Sequence, residues 1–265
     1  MAASSKPGAF SPQTFLETLI YAGFGCVLIY LVASGEYLRY LTPKMKPYLC
    51  FAAIVMLVWT CSGALRLGKT RGRARCAHCF ALAVPILLIL LPHRAMDASD
   101  VSFGYISAAP NVSPQTIAEP ADSAAPTPAP SPAAPGLSGL DEANRSITVN
   151  DTEYYLWIME IYDNLDKYEG YEFSVTGFVF KDPSLMSDGE FVPARLMMSC
   201  CVADLVSCGI ICRYDGAGEL ENDSWVTVKG VIERGEYMGY EEARIVVSSV
   251  SPAAPIEDYV YSYAY

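Results

Sequence analysis

Apolar positions in this 265-residue chain change their spacing once, from long unbroken runs to short alternations. Three runs fill the first 92 residues: Thr18–Ser34 (TLIYAGFGCVLIYLVAS), Pro47–Leu65 (PYLCFAAIVMLVWTCSGAL) and Cys76–Pro92 (CAHCFALAVPILLILLP). The first two carry no charge, and Glu17 stands at the outer edge of the first. At ~1.5 Å per residue, 19 residues reach roughly 28 Å, close to the hydrocarbon thickness of a bilayer. The third run is shorter and holds Pro85, which predicts a kink. Tyr37, Tyr40 and Tyr48 sit near run ends, where interfacial aromatics belong. The pattern predicts three membrane-spanning helices, at about 15–34, 47–65 and 76–92, in a transmembrane region covering 1–95. Only Lys6 precedes the first run, which is longer than the ~7–15 apolar residues of a signal peptide, so it reads as an uncleaved helix.

Residues 96–140 break the pattern. From Ala108 to Gly139 the chain is mostly Ala, Pro, Ser and Thr, with eight prolines between Pro110 and Pro135. No large apolar side chain in APTPAPSPAAPG can be buried, which predicts an extended spacer.

The last stretch, 141–265, returns to short periods. Asn150 and Glu153 have capping-box spacing, and Ile158, Ile161 and Leu165 recur at helical intervals, predicting a helix over about Glu153–Leu165 with an inward packing face. Tyr168-Glu-Gly170 ends it. Tyr171, Phe173, Val175, Gly177 and Val179 then alternate with Glu172, Ser174 and Thr176, as in a half-buried strand. Further strands are expected at Phe191–Ser199, Ser207–Arg213, Trp225–Arg234 and Ala243–Val250. Val175-Thr-Gly177-Phe-Val179 and Val228-Lys-Gly230-Val-Ile232 place a glycine alike, a mark of a bulge or of the coil of a small closed barrel. The fold class that follows is a membrane α-helical N-terminal region plus a mainly-β C-terminal domain, an OB-like small barrel with one helix. An SH3-like barrel or an open sandwich is the competing arrangement.

Charge sharpens the division. The chain is at −11 overall, yet residues 1–100 hold ten Lys/Arg against four Asp/Glu, and residues 141–265 hold eight against twenty-three. The basic end suits anionic lipid headgroups, and an acidic domain excludes nucleic acid as a partner. Arg66, Lys69, Arg71, Arg73 and Arg75, with Lys6, outnumber Arg39, Lys44, Lys46 and Arg94 on the other side. That bias predicts an internal N-terminus and, after three spans, an extracytoplasmic C-terminal domain of a multi-pass cell-membrane protein.

Nine cysteines supply the candidate chemistry. Cys26, Cys50 and Cys61 lie within runs and read as small apolar fillers. Cys76 and Cys79 form a Cys-x-x-Cys pair that could hold a soft metal, with His78 as a third ligand, or cycle as a dithiol. Cys200, Cys201, Cys208 and Cys212 fall within MSCCVADLVSCGIIC; they read as disulfides, as packing, or as ligands for zinc or another soft ion, with Asp204 as a further donor. On a strand, Cys200 and Cys201 would face opposite sides, which weighs against a four-thiolate cage and against a strain-free bond between them. Both histidines, His78 and His93, lie beside the third run, so the β domain has no Ser/His/Asp set; nor is there a glycine-rich phosphate loop. The expectation is a protein that is not an enzyme.

Phe191-Val-Pro-Ala-Arg195-Leu-Met-Met-Ser-Cys-Cys201-Val-Ala-Asp204 resembles a motif of arginine, apolar or small residues, then Cys-Cys-x-Ala-Asp, found in the bacterial YcgQ-like family of two-component permease subunits. Gly177-Phe-Val179, Asp223-Ser-Trp225-Val-Thr-Val-Lys-Gly230 and the tyrosine-rich end after Pro255 are similar to it as well. The resemblance singles out Arg195, Cys200, Cys201 and Asp204, while Cys208 and Cys212 fall outside the motif. It implies an accessory subunit whose helices pack on a separate polytopic permease and whose barrel contacts substrate or partner. The alternative is an extracytoplasmic protein that captures a metal or soft ligand through Cys200 and Cys201.

Overall fold

The computed structural model describes residues 12–66, 84, 87–88, 105–106, 136–237 and 239–261, in two compact units, 1–95 and 96–265.

Residues 12–66 of the first unit form a helical hairpin. Helix α1 spans Pro12–Ser34 and α2 spans Lys46–Arg66, joined through short 3-10 turns at Glu36–Arg39 and Pro43–Met45. Prolines stand only at the start of each helix, Pro12 and Pro47, where the missing N–H has no partner to lose. Tyr21 and Trp59 meet across the pair with ring centroids 5.5 Å apart. Phe15, Leu19, Ile29, Tyr30, Phe51, Ile54 and Val58 nevertheless stay exposed. Two segments, Gln13–Ser34 and Pro43–Arg66, are long and apolar enough to cross a membrane. The third expected span, 76–92, lies outside the described residues apart from 84, 87 and 88, which are helical.

The second unit is mainly β. Its strands are β1 (Tyr105–Ile106), β2 (Leu140–Asp141), β3 (Ser146–Thr148), β4 (Glu172–Phe180), β5 (Glu190–Met198), β6 (Val206–Cys208), β7 (Ile211–Arg213), β8 (Trp225–Tyr237), β9 (Tyr240–Pro252) and β10 (Val260–Tyr261). Five of them close on themselves: β4 pairs with β8, β8 with β9, β9 with β7, β7 with β5 and β5 with β4. All these pairings are antiparallel except β7 with β9. An open sandwich is thereby excluded. The far half of β5 leaves the closed path and pairs instead with β6 and, in parallel, with β10.

The two patterned glycines sit where the barrel coils. At Gly177, β4 passes from β8 to β5, and a Cβ there would lie 2.4 Å from the Pro193 carbonyl oxygen. At Gly230 the β8–β9 register shifts by one, and a Cβ would lie 2.4 Å from the Val246 carbonyl. Backbone approaches backbone at both places, so no side chain fits.

Helix α3 (Tyr154–Asp163) and the single turn α4 (Leu165–Tyr168) precede the barrel. Tyr154, Trp157, Ile158 and Ile161 form one buried face on a core that includes Phe173, Val175, Phe191, Val228 and Ile245. The Asn150–Glu153 pair is present but one turn early. The Glu153 N–H donates to Asn150 Oδ1 (2.8 Å), while the helix begins at Tyr154 and Trp157 N–H donates to the Glu153 carbonyl (2.9 Å). The Glu153 carboxylate is thereby free to accept the Ser138 N–H (3.1 Å), and the Trp157 indole donates to the Ser138 carbonyl (2.9 Å). Residues 136–140, and the 105–106 pair that lies along β6, therefore belong to the folded unit rather than to the expected spacer.

The expected strand Ser207–Arg213 is two strands, β6 and β7, and the break has a cause. Pro193 of β5 has no N–H to offer the ladder, and the buried Tyr154 hydroxyl donates into the gap, to the carbonyls of Pro193 (2.6 Å) and Cys208 (3.2 Å).

Replacing Gly177 by Ala should force β4 away from β5 and cost about 1–3 kcal/mol, as overpacking does. Thermal unfolding of the purified variant checks this; an unchanged midpoint would mean the strand crossing is not tight.

Candidate functional site

All four motif residues belong to β5 or to the loop that follows it. Arg195 lies on the strand itself and is 1% exposed. A buried guanidinium is costly unless paired, and here four elements meet it. Nη1 donates to Asp151 Oδ1 at 2.8 Å, and Nη2 to the Asp258 backbone carbonyl at 3.1 Å. The rings of Tyr154 and Trp225 flank it, with centroids 5.7 and 5.5 Å from Cζ. Arg195 thus fastens the loop before α3 and the segment leading into β10 to one strand.

β5 ends at Met198, and Ser199–Leu205 turns the chain back into β6 around one carboxylate. Asp204 Oδ1 accepts the Ser199 N–H (3.0 Å), and Oδ2 accepts those of Cys200 (2.6 Å) and Cys201 (3.3 Å). The Asp204 N–H returns to the Cys201 carbonyl (3.0 Å), closing a 3-10 turn over Val202–Asp204. Ser and Asp side chains organise tight loops by this kind of local bonding.

The turn also changes where the thiols point. Opposite faces were expected from a strand, but the strand has already ended, so both thiols fall on one side. The Cys200 thiol donates to Cys201 Sγ at 3.7 Å, and the ligand atoms of Cys200, Cys201 and Asp204 all lie within 4.8 Å of one another. Cys200 is exposed and Cys201 half-buried. Hydrogen bonds from the Cys200 thiol to Asp204 and Cys201 hold its proton, pushing its pKa up to about 12. Partial burial works to raise the Asp204 pKa, but bonds from the Cys200 thiol and from the Cys200, Ser199 and Cys201 N–H groups prevail and lower it.

Cys208 and Cys212 do not join this group. Both are buried, free thiols in the barrel core, and Cys208 stands opposite Arg195 in the β5–β6 register. Burial pushes the Cys208 thiol up to about 12 and raises Cys212 also, so both stay neutral packing groups. No disulfide joins the four thiols. Cys76, His78 and Cys79 lie outside the described residues.

Asp151, Tyr154, Trp225 and Asp258 complete the surroundings of Arg195 but carry no local signal. The one cue is the arginine inside VPARLMM, a charge in an apolar strand that must find partners elsewhere.

Two family models match the chain: the DUF1980 N-terminal domain over residues 16–107 and the DUF1980 C-terminal domain over residues 134–262. No curated protein matches it.

Because the folded-state pKa of Asp204 is lowered, its hold on the loop is complete above the ordinary carboxylate range and is lost as pH falls through that lowered value, below 3.8. Amide-exchange protection of Ser199, Cys200 and Cys201 should therefore drop on the order of tenfold in acid, and by as much at neutral pH in Asp204→Ala. Equal protection in variant and wild type would remove Asp204 from this role.

Proposed function

We propose that this chain of two DUF1980 domains is a membrane-anchored accessory subunit that binds a soft divalent cation, zinc foremost, at Cys200 and Cys201, for a polytopic permease. The reading is of a binding protein, not an enzyme. The observation that carries it is the 3.7 Å separation of the two sulfurs. With Zn–S near 2.3 Å, the S···S edge of a tetrahedral zinc site is ~3.8 Å. The thiols offer two neighbouring corners with almost no movement. Asp204, its oxygens already engaged by three N–H groups, shapes the loop first and offers a lone pair second. The remaining corners are left for water or for a partner's ligand, which is how exchangeable zinc sites differ from closed structural ones.

Other features support the same reading. The path β4-β8-β9-β7-β5, with its single parallel pair, is consistent with an OB-type Greek-key barrel. An acidic domain draws cations toward its surface and repels nucleic acid. The basic residues around Arg66–Arg75 favour an internal N-terminus, and the third span expected from the sequence of 76–92 would then carry the barrel outside the cytoplasm.

The permease partner rests on the YcgQ-like resemblance and on one structural feature. α1 and α2 cover little of each other, leaving the apolar side chains named above for lipid or for another protein's helices.

Full-length protein in detergent should retain one equivalent of zinc after gel filtration, and Cys200→Ser or Cys201→Ser should each abolish it. Because thiol protons are displaced, affinity should rise about tenfold per pH unit for each proton released. Retention by the double variant would place the metal elsewhere and end this reading. Gentle affinity purification from native membranes should recover a polytopic permease in stoichiometric amount; recovery of the chain alone would refute the accessory role.

A further inference from the structure

The geometry points to Cys200 and Cys201 as a reversible oxidation site, closed into a bond between neighbours by exchange with a low-molecular-weight disulfide, and so to a redox control of the cation site. Only the control, not the oxidation itself, rests on the cation reading above.

Three observations carry it. The sulfurs already stand 3.7 Å apart on the same side of one loop, so the two atoms that must bond are already neighbours. Cys200 is exposed, so an incoming disulfide reaches its sulfur, whereas the other two thiols of this region, Cys208 and Cys212, are sealed in the core. The loop is held by its own carboxylate, which keeps Cys201 beside Cys200 while the exchange proceeds.

The step balances. The Cys200 thiol gives up its proton to solvent base and its sulfur attacks one sulfur of the small disulfide; a Cys200–S–R bond forms, the S–S bond of the reagent breaks, and the first thiolate leaves and takes up a proton. Cys201 then attacks the Cys200 sulfur and expels the second thiol. Two protein thiols lose two hydrogens and two electrons, and one disulfide becomes two thiols.

The product is easily undone. Successive Cα atoms are about 3.8 Å apart across a trans peptide, whereas relaxed disulfides span about 4.4–6.8 Å. A bond between neighbours is strained, and strained, exposed disulfides are the labile, regulatory ones. Closure would consume both thiolates that the cation needs.

The test uses full-length, metal-free protein in detergent, incubated with oxidised glutathione, then unfolded, alkylated and digested with trypsin. The peptide Leu196–Arg213 should be two hydrogens lighter at Cys200 and Cys201, with Cys208 and Cys212 alkylated, and dithiothreitol should restore it. Cys201→Ser should stop at a stable glutathione adduct on Cys200. A stable adduct in the wild type, a bond from either cysteine to Cys208 or Cys212, or no reaction at Cys200 would each overturn the inference. Zinc retention, measured on the reduced and oxidised halves of one sample, separates the two readings. Loss of zinc on oxidation supports both. A bond that forms in protein that never holds zinc keeps the oxidation site and removes its control of a cation. Zinc held equally before and after the bond forms removes the control alone.

Discussion

A guanidinium can be buried in a strand of apolar residues only if distant parts of the chain come to it, and the β domain is arranged around that demand. Arg195 draws in Asp151, 44 residues earlier, and the carbonyl of Asp258, 63 residues later. Tyr154 from α3 and Trp225 from β8 close over its faces. Asp151 and Asp258 would not be held in place by the barrel ladder alone. The loop before α3 enters no strand, and β10 is two residues long. The arginine converts what would be two loose ends into fixed neighbours of β5. Removing Asp151 costs more than the pair contributes, because the buried guanidinium is left behind without compensation.

That fixation reaches the thiols through the strand. Arg195 sits opposite Cys208, and Met197 opposite Val206, so the base of the β5–β6 hairpin is in register three residues before the cysteines begin. On the other side β10 pairs with Met197 and Met198. The hairpin tip therefore starts from a strand end held on both edges, and a single carboxylate suffices to shape the rest. Two scales of order meet here: a buried charge that positions the strand, and a half-exposed one that positions the loop.

How much of this could be read from the chain differs by element, and for physical reasons. The strands were legible because one face is buried and the side-chain period is two; β4 shows this plainly in Phe173, Val175 and Val179. The two glycines forecast the coil of the barrel because only close backbone approach explains a bare Cα in an apolar strand. The split between β6 and β7 was not legible. It depends on Pro193 and on a tyrosine hydroxyl inserted from α3, both remote in sequence from the gap they open. The placement of Cys200 and Cys201 failed for a related reason. Alternation holds only while the strand lasts, and the strand stops at Met198 because Asp204 offers the next three N–H groups a better acceptor than a neighbouring strand.

Charge and coordination make complementary demands on the proposed cation. An acidic domain attracts cations without discriminating among them, since its field acts on magnesium or calcium as on zinc. Discrimination then has to come from the sulfurs, because thiolates select soft and borderline ions while carboxylates and carbonyls suit hard ones. Two thiolates are enough to choose, but a structural zinc site takes four ligands and is closed. A pair of corners on an exposed hairpin favours an ion that arrives, is selected, and can be taken over by further ligands from a partner. The same exposure leaves the sulfurs open to exchange with small disulfides. Accessibility to a metal-accepting partner and accessibility to an oxidant are one property of this loop, and a fold that kept the first while excluding the second would have to bury Cys200 and so close the site.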